Sequence, residues 1–109
     1  MTEKVKTELD RIVEKLAETG IVSKIILFGS HARGEETPDS DIDLCVITPI
    51  KDKNPIDITV DLRREIRNIR KTPLDLFTSN QDSFSYRAAY VGSLEHEIAK
   101  EGLVLYEHA

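Results

Sequence analysis

Leu27-Phe28-Gly29-Ser30-His31-Ala32-Arg33-Gly34, followed after a polar loop by Ser40-Asp41-Ile42-Asp43-Leu44-Cys45-Val46-Ile47, is the stretch on which the reading of this chain turns. Ile25-Ile26-Leu27-Phe28 is a continuous apolar run of the kind that forms a buried strand, and it stops at Gly29-Ser30. His31 to Arg33 leaves room for about one helical turn before Gly34 ends it, so backbone N–H groups after Gly29 are expected to lie unpaired at a helix start, where phosphate is attracted. Gly29, lacking a Cβ, lets the chain approach a ligand closely, and the Ser30 hydroxyl can donate to a phosphate oxygen or coordinate a metal.

Glu35 to Ser40 is a polar, proline-bearing loop, and Asp41 to Ile47 then alternates polar and apolar before turning wholly apolar, the pattern of a second strand. Side chains two apart on a strand share a face, so Asp41 and Asp43 point the same way with Cα atoms roughly 6.5 Å apart. Two carboxylates on one face of an otherwise apolar strand repel each other and lose hydration, a cost that divalent cations relieve. Oxygen ligands of this kind suit Mg²⁺, and two such ions about 3.5–4 Å apart could clamp the attacking and leaving oxygens of an in-line displacement.

Gly29-Ser30-His31-Ala32-Arg33-Gly34 with Ser40-Asp41-Ile42-Asp43-Leu44 resembles the signature of the DNA polymerase beta-like nucleotidyltransferases, specifically their minimal nucleotidyltransferase (MNT) group. The resemblance calls for a third carboxylate on a later strand. Asp75, the one acid inside the apolar run Thr72-Pro73-Leu74-Asp75-Leu76-Phe77-Thr78, fits that place and is expected on a buried strand; the competing role is a strand-end acid satisfied by backbone N–H groups or an arginine. The activity implied is Mg²⁺-dependent transfer of a nucleoside monophosphate, AMP from ATP, to a hydroxyl, with release of pyrophosphate. Asp41, Asp43 and Asp75 would be the catalytic and metal-holding residues, with two Mg²⁺ ions as cofactor. Gly29, Ser30 and Arg33 would bind the nucleotide, although Arg33 could equally pair with Glu35, Glu36 or Asp39. His31 is read as solvent-facing rather than as a general base.

Larger members of the superfamily carry a further domain that completes the acceptor pocket, and none is seen in these 109 residues, which read as a single nucleotidyltransferase domain over residues 1–109. The resemblance therefore implies a second polypeptide: a HEPN-domain toxin, one of whose tyrosines would be adenylylated, with this chain as antitoxin. The alternatives are a non-catalytic antitoxin that neutralises its partner by binding alone, and nucleotidylation of a small molecule such as an aminoglycoside, for which no segment builds a drug pocket. A homodimer would shield the small site from water.

The net charge of −5 and pI of about 5.2 argue against nucleic acid as the main partner. The single cysteine, Cys45, falls in a strand and reads as an apolar filler. No signal peptide and no apolar run near membrane length is present, which implies a cytoplasmic protein with no membrane contact.

Hydrophobic spacing predicts helices over about 2–19, 56–71 and 82–101, with a final strand at Leu103 to Tyr106. The expected fold is α/β (α+β), a mixed sheet of about four strands with helices packed mainly on one side. Two surfaces are left over. Arg63, Arg64, Arg67, Arg70 and Lys71 crowd the middle helix and form either a solvated face or a contact for an acidic protein, RNA or phosphate. Tyr86 and Tyr90, four apart, either edge the core or anchor a partner.

Overall fold

The computed structural model describes residues 1–108. Helix α1 (Glu3–Glu18) starts where the Thr2 hydroxyl accepts a hydrogen bond from the Val5 N–H, and it buries the stripe Leu9, Ile12 and Leu16. Strand β1 (Lys24–Phe28) leads into the one-turn helix α2 (Ser30–Arg33), and β2 (Ile42–Thr48) returns antiparallel to it. Helix α3 (Pro55–Ile66) has Asn54 as cap and Pro55 in its first turn, where a missing N–H costs nothing. It is followed by β3 (Leu74–Asn80), which runs parallel to β2, and β4 (Leu103–Glu107) closes the other side of β1. The strand order is β3-β2-β1-β4, the four-stranded mixed sheet expected.

The helix expected over 82–101 is two helices, α4 (Gln81–Ala88) and α5 (Leu94–Glu101). Gly92 takes a positive φ of 95°, and Ser93 accepts from the His96 N–H at 3.0 Å, so a fresh N-cap starts where a continuous helix would have run. The break lets both pieces fold back on the sheet. Helix α3 likewise stops at Ile66, short of the expected Lys71.

Strand periodicity divides the interior. Ile25, Leu27, Ile42, Leu44 and Val46 pack with the stripes of α1 and α3 into the larger core, while Ile26, Cys45 and Ile47 face α4 and α5 through Phe84 and Ile98. The larger core thus lies under α1 and α3, and the divided last helix supplies a smaller layer on the other face of the sheet. Cys45 fills that layer, its thiol pushed up to about 12 by burial and by the nearby Glu95 carboxylate. Tyr86 and Tyr90 stand outside both cores, their hydroxyls 3.0 Å apart and their rings edge to face. Among the described residues no helix is long and apolar enough to cross a membrane.

Candidate active site

The β1–α2 turn is built around Gly29, whose φ of 77° and ψ of −156° lie in a region essentially reserved for glycine. Its missing side chain matters as much as its dihedrals. A Cβ at Gly29 would collide with the Oδ2 of Asp43 and lie 3.2 Å from its Cγ, so the carboxylate rests directly against the glycine. Antiparallel pairing makes this contact, because Phe28 stands opposite Asp43. Beyond the turn, Ala32 and Arg33 donate back to the Gly29 carbonyl, and Gly34, left-handed at φ 72°, ends the helix after four residues. A helix this short leaves the Ser30 and His31 amides without partners inside it, beside the Asp43 carboxylate.

Parallel pairing brings the next acid in. Asp75 is the register partner of Asp43, so the two side chains share the face covered by α4 and α5, at the end those helices leave open. Asp41 lies one residue ahead of β2 and is exposed. Partial burial raises the Asp43 carboxyl above the usual carboxylate range, the Asp75 and Asp41 charges raise it further, and His31 and Arg33 oppose them. The charges of Asp75 and Asp41 therefore both reach Asp43 through space.

The structure corrects two expectations here. Asp75 is exposed rather than buried, because β3 is the last strand of the sheet and has no neighbour beyond it among the described residues. His31 is buried rather than solvent-facing: the short helix turns its ring inward, Nε2 lies 3.4 Å from the Ser40 carbonyl, and Nδ1 has no partner. Arg33 does pair with Glu35, with its Nε 2.5 Å from Oε1, and also with Glu101 of α5 at 3.5 Å. Those glutamates keep the guanidinium charged, and it is exposed at the rim of the Asp43 site.

Two contributions were invisible in the sequence. Glu8 of α1 accepts the Lys71 and Thr72 N–H groups at 2.7 and 2.8 Å and the Thr72 hydroxyl at 2.7 Å, pinning the loop that delivers Asp75. Glu101 ties the end of α5 to α2. Both contacts join residues far apart in the chain, and no local spacing signals them.

Among the described residues no three His, Cys, Asp or Glu side chains already form a closed metal cage. The donor set still fits a hard cation: oxygen donors only, with Asp43 raised above its ordinary value by partial burial and by the charges of Asp75 and Asp41, and with Asp41 and Asp75 exposed, so that water and phosphate could complete the coordination shell. That chemistry suits Mg²⁺ rather than a thiolate-seeking metal.

The chain matches a family model described as a nucleotidyltransferase domain over residues 8–104. A Methanocaldococcus jannaschii protein, provisionally named a protein adenylyltransferase, is 30% identical over 87 residues, spanning 80% of this chain and 81% of that one. The crystal structure of a provisionally named nucleotidyltransferase from Sulfolobus solfataricus superposes with a TM-score of 0.65 at 19% identity, covering 94% of this chain and 79% of the other. A toxin–antitoxin crystallised with AMP-PNP superposes with a TM-score of 0.54 at 19% identity, over 91% of this chain and 73% of that one. At such identities the two structures share a fold with this chain.

Proposed function

The chain belongs to the nucleotidyltransferase domain family, and from that premise we propose that this nucleotidyltransferase moves AMP from ATP to a hydroxyl of a partner protein in the cytoplasm, releasing pyrophosphate. The observation that carries the proposal is the Asp43 carboxylate, seated against Gly29 and beside Asp75, with its affinity for a proton raised by burial and by two neighbouring negative charges.

Gly29 and Ser30 seat the β and γ phosphates through the open amides of the turn and the Ser30 hydroxyl, and Arg33 lends positive charge at the rim. Asp41 and Asp43, with Asp75, would hold Mg²⁺, two ions being the number the resemblance implies. Bound there, the metal would supply positive charge to offset the negative charge that develops on the transferring phosphoryl group. Asp75, exposed on the edge strand, is reachable by a side chain of another protein and takes the proton from the attacking hydroxyl. The hydroxyl oxygen then forms the new bond to the α phosphorus as the bond to pyrophosphate breaks. The remaining work is positioning.

The name of the Methanocaldococcus jannaschii relative supports a protein acceptor and an adenylyl group, and the fold shared with a toxin–antitoxin supports a toxin as partner. On the resemblance to the MNT group, that partner is a HEPN-domain toxin, the acceptor is one of its tyrosines, and this chain is the antitoxin. The test is incubation with Mg²⁺, labelled ATP and the product of the neighbouring gene, followed by intact mass of both chains. One AMP should be gained by the partner, and the combined Asp41→Asn and Asp43→Asn change should lower transfer by about 10³-fold or more. If the doubly substituted chain still neutralises an unmodified partner, neutralisation works by masking and the catalytic reading fails.

A further inference from the structure

The outer side of β3 pairs with no other strand among the described residues. Ile42 donates to the Pro73 carbonyl at 2.9 Å, so the odd-numbered residues of β3 face β2 and the N–H and C=O groups of Leu74, Leu76 and Thr78 point away from the sheet. The Arg63 guanidinium closes this edge at the Leu74 carbonyl, 3.2 Å away; farther along, Leu76 is partly exposed and Thr78, 7% exposed, lines the neighbouring groove with its hydroxyl accepting from Thr59 at 2.7 Å. Exposed edges of this kind pair readily with another extended chain.

Beside the open stretch lies a groove of about 490 Å³ between α3 and β3. Its wall includes Ile56, 71% exposed, and Val60, 48% exposed, two large apolar side chains on the first turns of α3 with nothing over them. Helix α3 runs antiparallel to the strand, since Thr59 bonds to Thr78 and Arg63, farther along the helix, reaches back to the Leu74 carbonyl; in the loop that follows the helix, Arg70 bonds to the Thr72 carbonyl. The edge is therefore apolar at its far end and basic, through Arg63, Arg70 and Lys71, at the end where Asp75 stands. Of the acids around this end, Asp61 is taken up by Lys53 at 2.8 Å and Arg64 at 3.9 Å, Glu8 of α1 stands against Lys71, and Glu65 is exposed on α3, so the positive charge offered to a partner rests chiefly on Arg63 and Arg70.

We propose that β3 captures an extended segment of the acceptor protein as an added strand, with apolar side chains over Ile56 and Val60 and acidic ones toward Arg63, Arg70 and Lys71, delivering its hydroxyl to Asp75. This rests on the reading of the chain as a transferase acting on a protein. Strand addition draws its affinity from main-chain hydrogen bonds and its selectivity from alternate side chains, which matches an edge with one apolar and one basic end. Successive residues rise about 3.3 Å along a strand, so a segment paired at Leu76 places its next residues beside Asp75. Nucleic acid would use the basic end but neither the apolar groove nor the free amides.

The test uses the isotopically labelled whole chain and a synthetic eight-residue peptide that alternates valine with glutamate around one tyrosine. NMR should show the amide signals of Leu76 and Thr78 moving, with exchange slowed about tenfold, and binding weakened about tenfold by Ile56→Asp with Val60→Asp, at positions 71% and 48% exposed, the unchanged amide spectrum of β1 and β2 reporting that the variant is folded. Unmoved Leu76 and Thr78 signals overturn strand addition, even if the peptide gains AMP. Equal movement by a peptide with lysine in place of glutamate overturns the charge assignment, and an oligouridylate that shifts these amides more strongly than the peptide overturns the protein segment as occupant. A parallel titration with ATP and Mg²⁺, followed at Gly29 and Ser30, reports on the nucleotide site by itself. Failure there counts against the proposed transferase activity and leaves the edge measurement standing.

Discussion

The two faces of β2 carry opposite duties on one short segment. Ile42, Leu44 and Val46 point into the core under α1 and α3 and are fully buried, while Asp43, one residue out of phase, points to the other face and meets Gly29 and Asp75. Cys45 and Ile47, farther along that second face, return to packing against α4 and α5. The lesson is that a period of two lets a strand carry stability and a charged site side by side, provided the acid sits at the end the helices leave open.

Neighbouring substitutions sharpen this contrast most. Leu44→Ala removes buried methyl groups where the packing cannot close, and it should lower stability by about 2–5 kcal/mol, read from urea unfolding, while the folded fraction keeps its transfer rate. Asp43→Asn should do the reverse, abolishing transfer without loss of stability. Its carboxyl is raised in the folded protein, so ionisation opposes folding. In the metal-free protein that opposition fades as pH falls through the folded value, and the substituted chain, lacking the group, should be the more stable of the two near pH 7. Parallel losses of stability and activity in both variants would break the comparison.

A smaller effect separates close approach from mere turn geometry. Gly29 and Gly34 both have positive φ, but a Cβ at Gly34 meets nothing within 4 Å, whereas one at Gly29 meets the Asp43 carboxylate. Gly29→Ala should cost about 1–3 kcal/mol and sharply weaken ATP binding, and Gly34→Ala about 1 kcal/mol with binding intact. Thermal unfolding and ATP titration distinguish the two.

Weakest is the contact that holds the site's third acid from a distance. Glu8→Ala should cost on the order of 1 kcal/mol and lower the transfer rate more than it weakens ATP binding, because the loop before Asp75 loosens while Gly29 and Ser30 are untouched. Burial tends to raise the Glu8 carboxyl, but hydrogen bonds from the Thr72 and Lys71 N–H groups and the Thr72 hydroxyl outweigh it and hold it below its ordinary value of 4.5. The stabilisation is therefore complete above that value and lost as pH falls through the lowered one. Stability curves of the wild type and Glu8→Ala should converge in acid, and curves that stay parallel would remove Glu8 from this role.

Much of this was legible in the chain because it is local. The strand runs, the Gly29-Ser30 turn, the two-residue spacing of Asp41 and Asp43 and the helical stripes of α1 and α3 are patterns within a few residues, where dihedral preference and period act directly. The break between α4 and α5 was readable in principle from Gly92-Ser93, but the apolar spacing runs across it and hides it.

By itself, then, the sequence determined the four strand runs, the helical stripes of α1 and α3, the candidate glycine and acidic residues of the site, and the family to which the chain belongs. Tertiary structure alone decided that Asp75 is the register partner of Asp43 and lies exposed on an edge strand, that His31 turns inward, that Arg33 is shared with Glu101, and that Glu8 pins the loop before Asp75. The physical reason is range. Spacing along a chain fixes faces and periods, whereas register, edge position and the partners of long charged side chains are set by how distant segments pack, and Glu8 and Thr72 become neighbours only after the sheet and its helices have closed around the core.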